Sequence, residues 1–135
     1  MAEERILIVE DEKIIALDLQ RRLEKFGYSV VALAATADEA VESALEYRPD
    51  IVLMDIMLGG ERDGIDAALE IKEQINIPVV FLTAYADERT VDRAKRAEPV
   101  GYVLKPFKER ELQTTIDIAL YKARVDRQMQ EQEQL

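Results

Sequence analysis

The sequence predicts an α/β fold, a doubly wound five-stranded parallel sheet in a three-layer sandwich with helices on both faces. Two observations carry the class. Five short apolar runs alternate along the chain with segments whose apolar residues recur every three or four positions. The runs are apolar at consecutive residues rather than alternating ones, as strands covered on both faces are. A third observation points to a site: most of these runs stop at a charged or hydroxyl residue.

Arg5 to Val9 is the first run, β-branched and halted by Glu10-Asp11-Glu12. Ile15, Leu19, Leu23 and Phe26 then mark the inner face of a helix, which Gly27 stops as a left-handed cap. Tyr28 to Leu33 is the second strand. Thr36 with Glu39 makes a capping-box signature that opens a helix to about Tyr47. Beyond Pro49, Ile51 to Met54 forms a third strand ending at Asp55. Leu58 to Gly64 is a loop dense in Gly and charge, and Ile65, Leu69 and Ile71 predict a helix ending before Asn76. Val79 to Leu82 closes on Thr83. Asp87 caps a helix through Val91 and Ala94, stopped by Pro99. Its charge run, Asp87 to Arg96, reads as a solvated face with Glu88–Asp92 repulsive and Asp92–Arg96 favourable. Val100 to Leu104 is the fifth strand, followed by Lys105-Pro106 and a helical pattern from Phe107 to Leu135.

The 135 residues suit one domain with one core, and 48% hydrophobic with 34% charged content is globular. A formal charge of -10 argues against nucleic acid and against anionic membrane as partners. The absence of Cys and His removes thiolate nucleophiles, Ser-His triads and zinc sites, and it means that this chain cannot itself be a phosphohistidine donor. Met1 to Glu4 has no signal-peptide character, and no apolar run reaches the ~20 residues of a membrane helix, so the expected location is cytoplasmic.

In parallel α/β sheets, ligands bind beyond the carboxyl ends of the strands. Glu10, Asp11, Asp55, Thr83 and Lys105 all stand at or just after such ends. Adjacent carboxylates disfavour joint ionisation unless cations compensate. Oxygen donors without His or Cys select a hard cation, Mg²⁺ or Mn²⁺. A carboxylate such as Asp55 can attack phosphorus, and the charge of the transferring group then needs a metal, a Lys and a hydroxyl.

Ile6-Leu-Ile-Val-Glu-Asp-Glu12, Asp50-Ile-Val-Leu-Met-Asp55, Pro78-Val-Val-Phe-Leu-Thr-Ala84 and Gly101-Tyr-Val-Leu-Lys-Pro-Phe107 together resemble the receiver domain of two-component response regulators. The resemblance implies a flavodoxin-like sheet of order 2-1-3-4-5, which alternation alone does not fix. It implies that Asp55 is the phosphoacceptor and that a sensor histidine kinase is the donor. Asp11 is similar to the acid that binds Mg²⁺ directly, Glu10 acts through water, and Met57 offers its backbone carbonyl. Thr83 and Lys105 resemble the hydroxyl and cation that meet the phosphoryl group, and Tyr102 the aromatic switch. Lys105-Pro106 is a cis candidate. The readout surface implied is helix four, strand five and helix five, toward an output domain in cis or a partner protein. The enzymatic output, where there is one, lies outside such a domain.

One feature departs from that pattern, and one exceeds the height of the sheet. Met57 to Gly64 lacks the usual Pro and carries one additional residue, which puts Glu61 and Arg62 within reach of the site. The last helix, twenty-nine residues if it runs from Phe107, is longer than the sheet is tall. The domain is therefore read as residues 1–124, with 125–135 a polar extension that is a frayed terminus, a linker to an output domain or a homodimer contact. An aspartate-nucleophile phosphatase is the alternative enzyme reading, but strand one lacks Asp-x-Asp. A flavin module is disfavoured because Glu10-Asp11-Glu12 repels phosphate. A receiver without phosphorylation, serving only for interaction, is disfavoured by the intact set of Asp, Thr and Lys.

Overall fold

The computed structural model describes residues 4–84 and 87–133, with side chains described to residue 129. Five strands form one parallel sheet in the order β2-β1-β3-β4-β5. They are β1 (Arg5–Val9), β2 (Ser29–Ala34), β3 (Ile51–Asp55), β4 (Val79–Thr83) and β5 (Gly101–Leu104). The helices are α1 (Lys13–Lys25), α2 (Ala37–Tyr47), α3 (Gly64–Gln74), α4 (Glu88–Arg96) and α5 (Glu109–Glu133). Order and alternation match the sequence expectation. The predicted end of the last helix at Leu135 and the reading of Met1 to Glu3 fall outside the described residues.

Side chains alternate across the sheet and split the core in two. Leu7, Val9, Val52, Met54, Val79 and Phe81 face α2 and α3, together with Ala94 of α4. Ile6, Ile8, Ile51, Leu53, Val80, Leu82 and Val103 face Leu19 and Leu23 of α1 and Leu112, Ile116 and Leu120 of α5. Each large side chain fully buried in these layers contributes about 1.5–3 kcal/mol, so the apolar strand bodies fix where the polar strand ends stand.

Local signals set the helix limits. Thr36 Oγ1 accepts from the Glu39 N–H at 3.1 Å, as the capping signature predicts. Gly27 has φ +100, the left-handed geometry that ends α1 after Phe26. Asp87 caps α4 through the Thr90 N–H at 2.7 Å. Helix α5 starts later than the Phe107 expected, because its first turn closes from Leu112 N–H to the Lys108 carbonyl at 2.9 Å. Helix α3 opens with a reciprocal capping box of Asp63 and Asp66, a pair the sequence reading passed over. Among the described residues no helix is long and apolar enough to cross a membrane.

Candidate functional site

Parallel pairing brings the ends of β1, β3, β4 and β5 to one rim. Asp55 pairs with Leu82 in register, and Thr83 with Leu104. The Lys105 N–H donates to the Thr83 carbonyl at 2.8 Å, and the Ile56 N–H donates to the Leu82 carbonyl at 3.1 Å. Glu10, Asp55 and Thr83 are the buried polar residues among those described, 3%, 2% and 2% exposed. Buried polar groups need partners, and these three cluster where the apolar strands end.

The geometry is that of a charge cluster around one cation. Lys105 Nζ lies 2.7 Å from Asp55 Oδ2 and 3.0 Å from Glu10 Oε2. Asp55 Oδ1 accepts the Met57 N–H at 3.0 Å, and Glu10 Oε1 accepts the Glu12 N–H at 3.2 Å. Burial, then a hydrogen bond with Asp55, pushes the Glu10 carboxyl from 4.5 up to about 7, against the opposing pull of Lys105. Burial works to lower the Lys105 ammonium, but its bonds to Asp55 and Glu10 outweigh that and raise it.

Glu10, Asp11 and Asp55 each present a carboxylate oxygen within 4.8 Å of the other two, with Asp11 exposed. Three hard oxygen donors at a water-accessible rim fit a divalent cation that keeps part of its hydration shell. Burial, with Asp55 beside it, outweighs the pull of the single ammonium, so Glu10 holds its proton to near-neutral pH. A cation at this place would release it.

Behind Asp55, the backbone is packed to the limit. The Gly64 N–H donates to the Ile56 carbonyl at 2.9 Å. A Cβ added at Gly64 would stand 2.0 Å from the Asp55 carbonyl oxygen, so only Gly permits this approach. The Asp-Gly pair at 63–64 was the available sequence signal, and it reads equally well as an ordinary turn.

The remaining expected residues divide. Tyr102 is half-exposed at 43%, its ring 6.1 Å from that of Phe81. It borders a cavity of about 190 Å³ lined also by Ile56, Thr83, Thr90, Val91, Ala94 and Leu104. Lys105-Pro106 is cis. Arg62 does not reach toward the carboxylates. It pairs with Asp38 of α2 at 2.6 Å and with Glu70 of α3, because those acids lie on the outer helix surface beside it. Glu61 is exposed, and the loop instead approaches the site through Gly59, where a Cβ would lie 3.7 Å from Asp11 Oδ2. The expected Asp92–Arg96 pair is replaced by Asp92–Lys95 at 4.0 Å.

Arg93, read from sequence as one more solvated cation, joins two helices. Its guanidinium donates to Asp63 at 2.8 and 3.3 Å and to Asp66 at 3.3 Å. Burial raises the Asp63 carboxyl, but Arg93 and the Asp66 N–H together hold it below the usual 3.8.

Comparison with known proteins gives a consistent picture. The family model described as response regulator receiver domain matches residues 6–117. The transcriptional regulatory protein PdtaR of Mycobacterium tuberculosis is 42% identical over 120 residues, covering 89% of this chain and 58% of its own length. Among solved structures, the signal receiver domain of a modulated diguanylate cyclase from Desulfovibrio desulfuricans superposes with TM-score 0.87 at 38% identity, covering 93% of this chain and 99% of that one. The receiver domain of sensor histidine kinase PA1611 from Pseudomonas aeruginosa, with magnesium coordinated in its active-site cleft, superposes with TM-score 0.79 at 35% identity, covering 88% and 98%. The chain thus spans little more than half of PdtaR.

Proposed function

Since the chain belongs to the response regulator receiver domain family, we propose that Asp55 accepts a phosphoryl group from the phosphohistidine of a sensor kinase and that the domain signals by switching conformation. The observation that carries this reading is the Lys105 contact with Asp55 and Glu10 at 2.7 and 3.0 Å beside the Asp11 carboxylate.

Glu10, Asp11, Asp55 and the backbone carbonyl of Met57 would hold Mg²⁺ (or Mn²⁺), which when bound supplies charge neutralisation for phosphoryl oxygens. The protein's own residues do the rest. Asp55 is fixed by the Met57 N–H and Lys105, so the carboxylate is oriented before the donor arrives. Transfer forms an oxygen–phosphorus bond on Asp55 as the phosphorus–nitrogen bond of the donor breaks, and the imidazole departs. Lys105 then has an anionic oxygen in place of one carboxylate contact. Thr83, at the end of the neighbouring strand, supplies a hydroxyl to the same group.

Occupancy biases a pre-existing equilibrium. The readout face is α4, β5 and α5, where Tyr102, Leu104, Ile118 and Tyr121 expose apolar area. An output domain in cis, a partner protein or a second copy would bind there, in the cytoplasm.

Incubation with acetyl phosphate and Mg²⁺, followed by intact mass, tests the reading. One hydroxylamine-sensitive phosphoryl adduct is expected, absent from Asp55→Asn. No adduct, or an adduct retained in that variant, overturns it.

A further inference from the structure

We propose that Arg93 is a latch: its fork on Asp63 and Asp66 holds α4 against the start of α3 in the resting state and opposes phosphoryl binding at Asp55. The inference rests on the acceptor reading above and adds a regulatory residue to it.

Helix α4 has little else to fix its position. Of its nine residues only Ala94 is buried, with Ala97 just beyond its end, while Thr90 and Val91 overlook the cavity of about 190 Å³ shared with Thr83 and Tyr102. An incompletely filled space under a weakly buried helix leaves more than one position open to it. The Arg93 fork selects one. Its two bonds to the Asp63 carboxylate, 2.8 and 3.3 Å, are directional and do not survive a displacement of much more than ~1 Å.

Both ends of the latch are tied to the reaction centre. Asp63 caps α3, and the next residue, Gly64, is the one pressed on the Asp55 carbonyl. At the other end, α4 is the element that follows β4 and its terminal Thr83. Drawing Thr83 toward a group on Asp55 changes the surface on which α4 rests. A contact made only in the resting state lowers the affinity for whatever favours the other state, and binding weakens the contact by the same factor. Arg93, Asp63 and Asp66 are partly exposed, so the factor is about two- to five-fold.

The test uses beryllium fluoride with Mg²⁺, a tetrahedral stand-in for a phosphoryl group on a carboxylate, titrated calorimetrically into the intact chain. Arg93→Gln removes the fork, while Asp63→Asn removes the charge and keeps a capping side chain. Each variant is expected to bind about two- to five-fold tighter than wild type, and the double variant no tighter than either single one. A merely structural role would weaken binding or leave it unchanged. Equal or weaker binding by both variants, with wild type binding normally, overturns the latch alone. Additive gains in the double variant overturn the pairing of the two residues. Failure of wild type to bind overturns the acceptor reading and the latch with it.

Discussion

Replacing Lys105 by Met removes the cation while keeping an apolar stem of similar length. Asp55 and Glu10, 2% and 3% exposed, then face each other with no ammonium between them. Breaking a buried ion pair costs about 3–5 kcal/mol when the stranded charge stays ionised; the 20% exposure of the Lys105 side chain favours the lower end of that range. A proton relieves the cost. Glu10 already titrates at about 7 in the presence of Lys105, and losing a group that pulls it down moves it higher. A carboxyl with a folded pKa above its unfolded value binds more protons folded than unfolded, so its contribution to stability falls as pH rises across that interval and stays lost above it. In wild type the interval runs from 4.5 to about 7; in the variant it extends further upward. The deficit of Lys105→Met should therefore be under about 1 kcal/mol near pH 5 and grow by up to ~1.4 kcal/mol per pH unit through the extended interval, to about 2 kcal/mol near pH 8 and toward about 3 kcal/mol near pH 9. Urea denaturation followed by circular dichroism, in metal-free buffer at several pH values, measures it. Millimolar Mg²⁺ should shrink the deficit at alkaline pH. A deficit that is constant with pH and indifferent to Mg²⁺ would refute the electrostatic account of the cluster.

Gly64→Ala places a Cβ 2.0 Å from the Asp55 carbonyl oxygen, so overpacking should cost about 1–3 kcal/mol in urea denaturation and slow adduct formation by intact mass. Mg²⁺ binding requires Glu10 deprotonated; with a pKa of about 7, calorimetric affinity should fall as pH drops, by roughly ten-fold between pH 8 and pH 6, and Glu10→Gln should flatten that profile. Arg62→Ala should leave the dephosphorylation rate unchanged and cost less than about 1 kcal/mol, since its partners Asp38 and Glu70 lie on the outer helix surface. A changed rate would restore the expectation that this side chain reaches the site.

Strand alternation was legible because it is a local property: runs such as Ile51 to Met54 are apolar on every residue, and a chain cannot bury such a run singly. Glu10, Asp55, Thr83 and Lys105 stood out as candidates for the same reason, each being the first polar residue at or just after the end of such a run, with Asp11 following Glu10. Sheet order was not written in any local pattern and came with the family resemblance. Side-chain direction on exposed helices was illegible too. Arg62 and Arg93 are alike in sequence terms, cations in charged surroundings, yet one turns to the α2–α3 surface and the other spans α3 and α4. Which acid a long flexible cation finds depends on inter-helix geometry that no spacing rule encodes. Gly64 was missed because the demand on it comes from Asp55, nine positions earlier, across a turn.

The two halves of the site place opposite demands on the fold. Position is set from beneath by apolar strand bodies and from behind by Gly64, neither of which changes with charge. The electrostatics, by contrast, are left unbalanced: burial and the neighbouring Asp55 outweigh the one ammonium that serves both acids, and Glu10 keeps its proton to about pH 7. A site meant only for stability would be better built from apolar side chains of the same volume. Holding acids in this condition makes the rim responsive to added charge, whether a divalent cation among the acids or an anionic group on Asp55 beside Lys105. A structural response to such charge would have to pass through elements that are themselves weakly fixed. Helix α4, with little buried area and an incompletely filled cavity beneath it that Ile56 and Thr83 also line, meets this requirement, and its ties to α3 run through Asp63, next to Gly64, and Asp66.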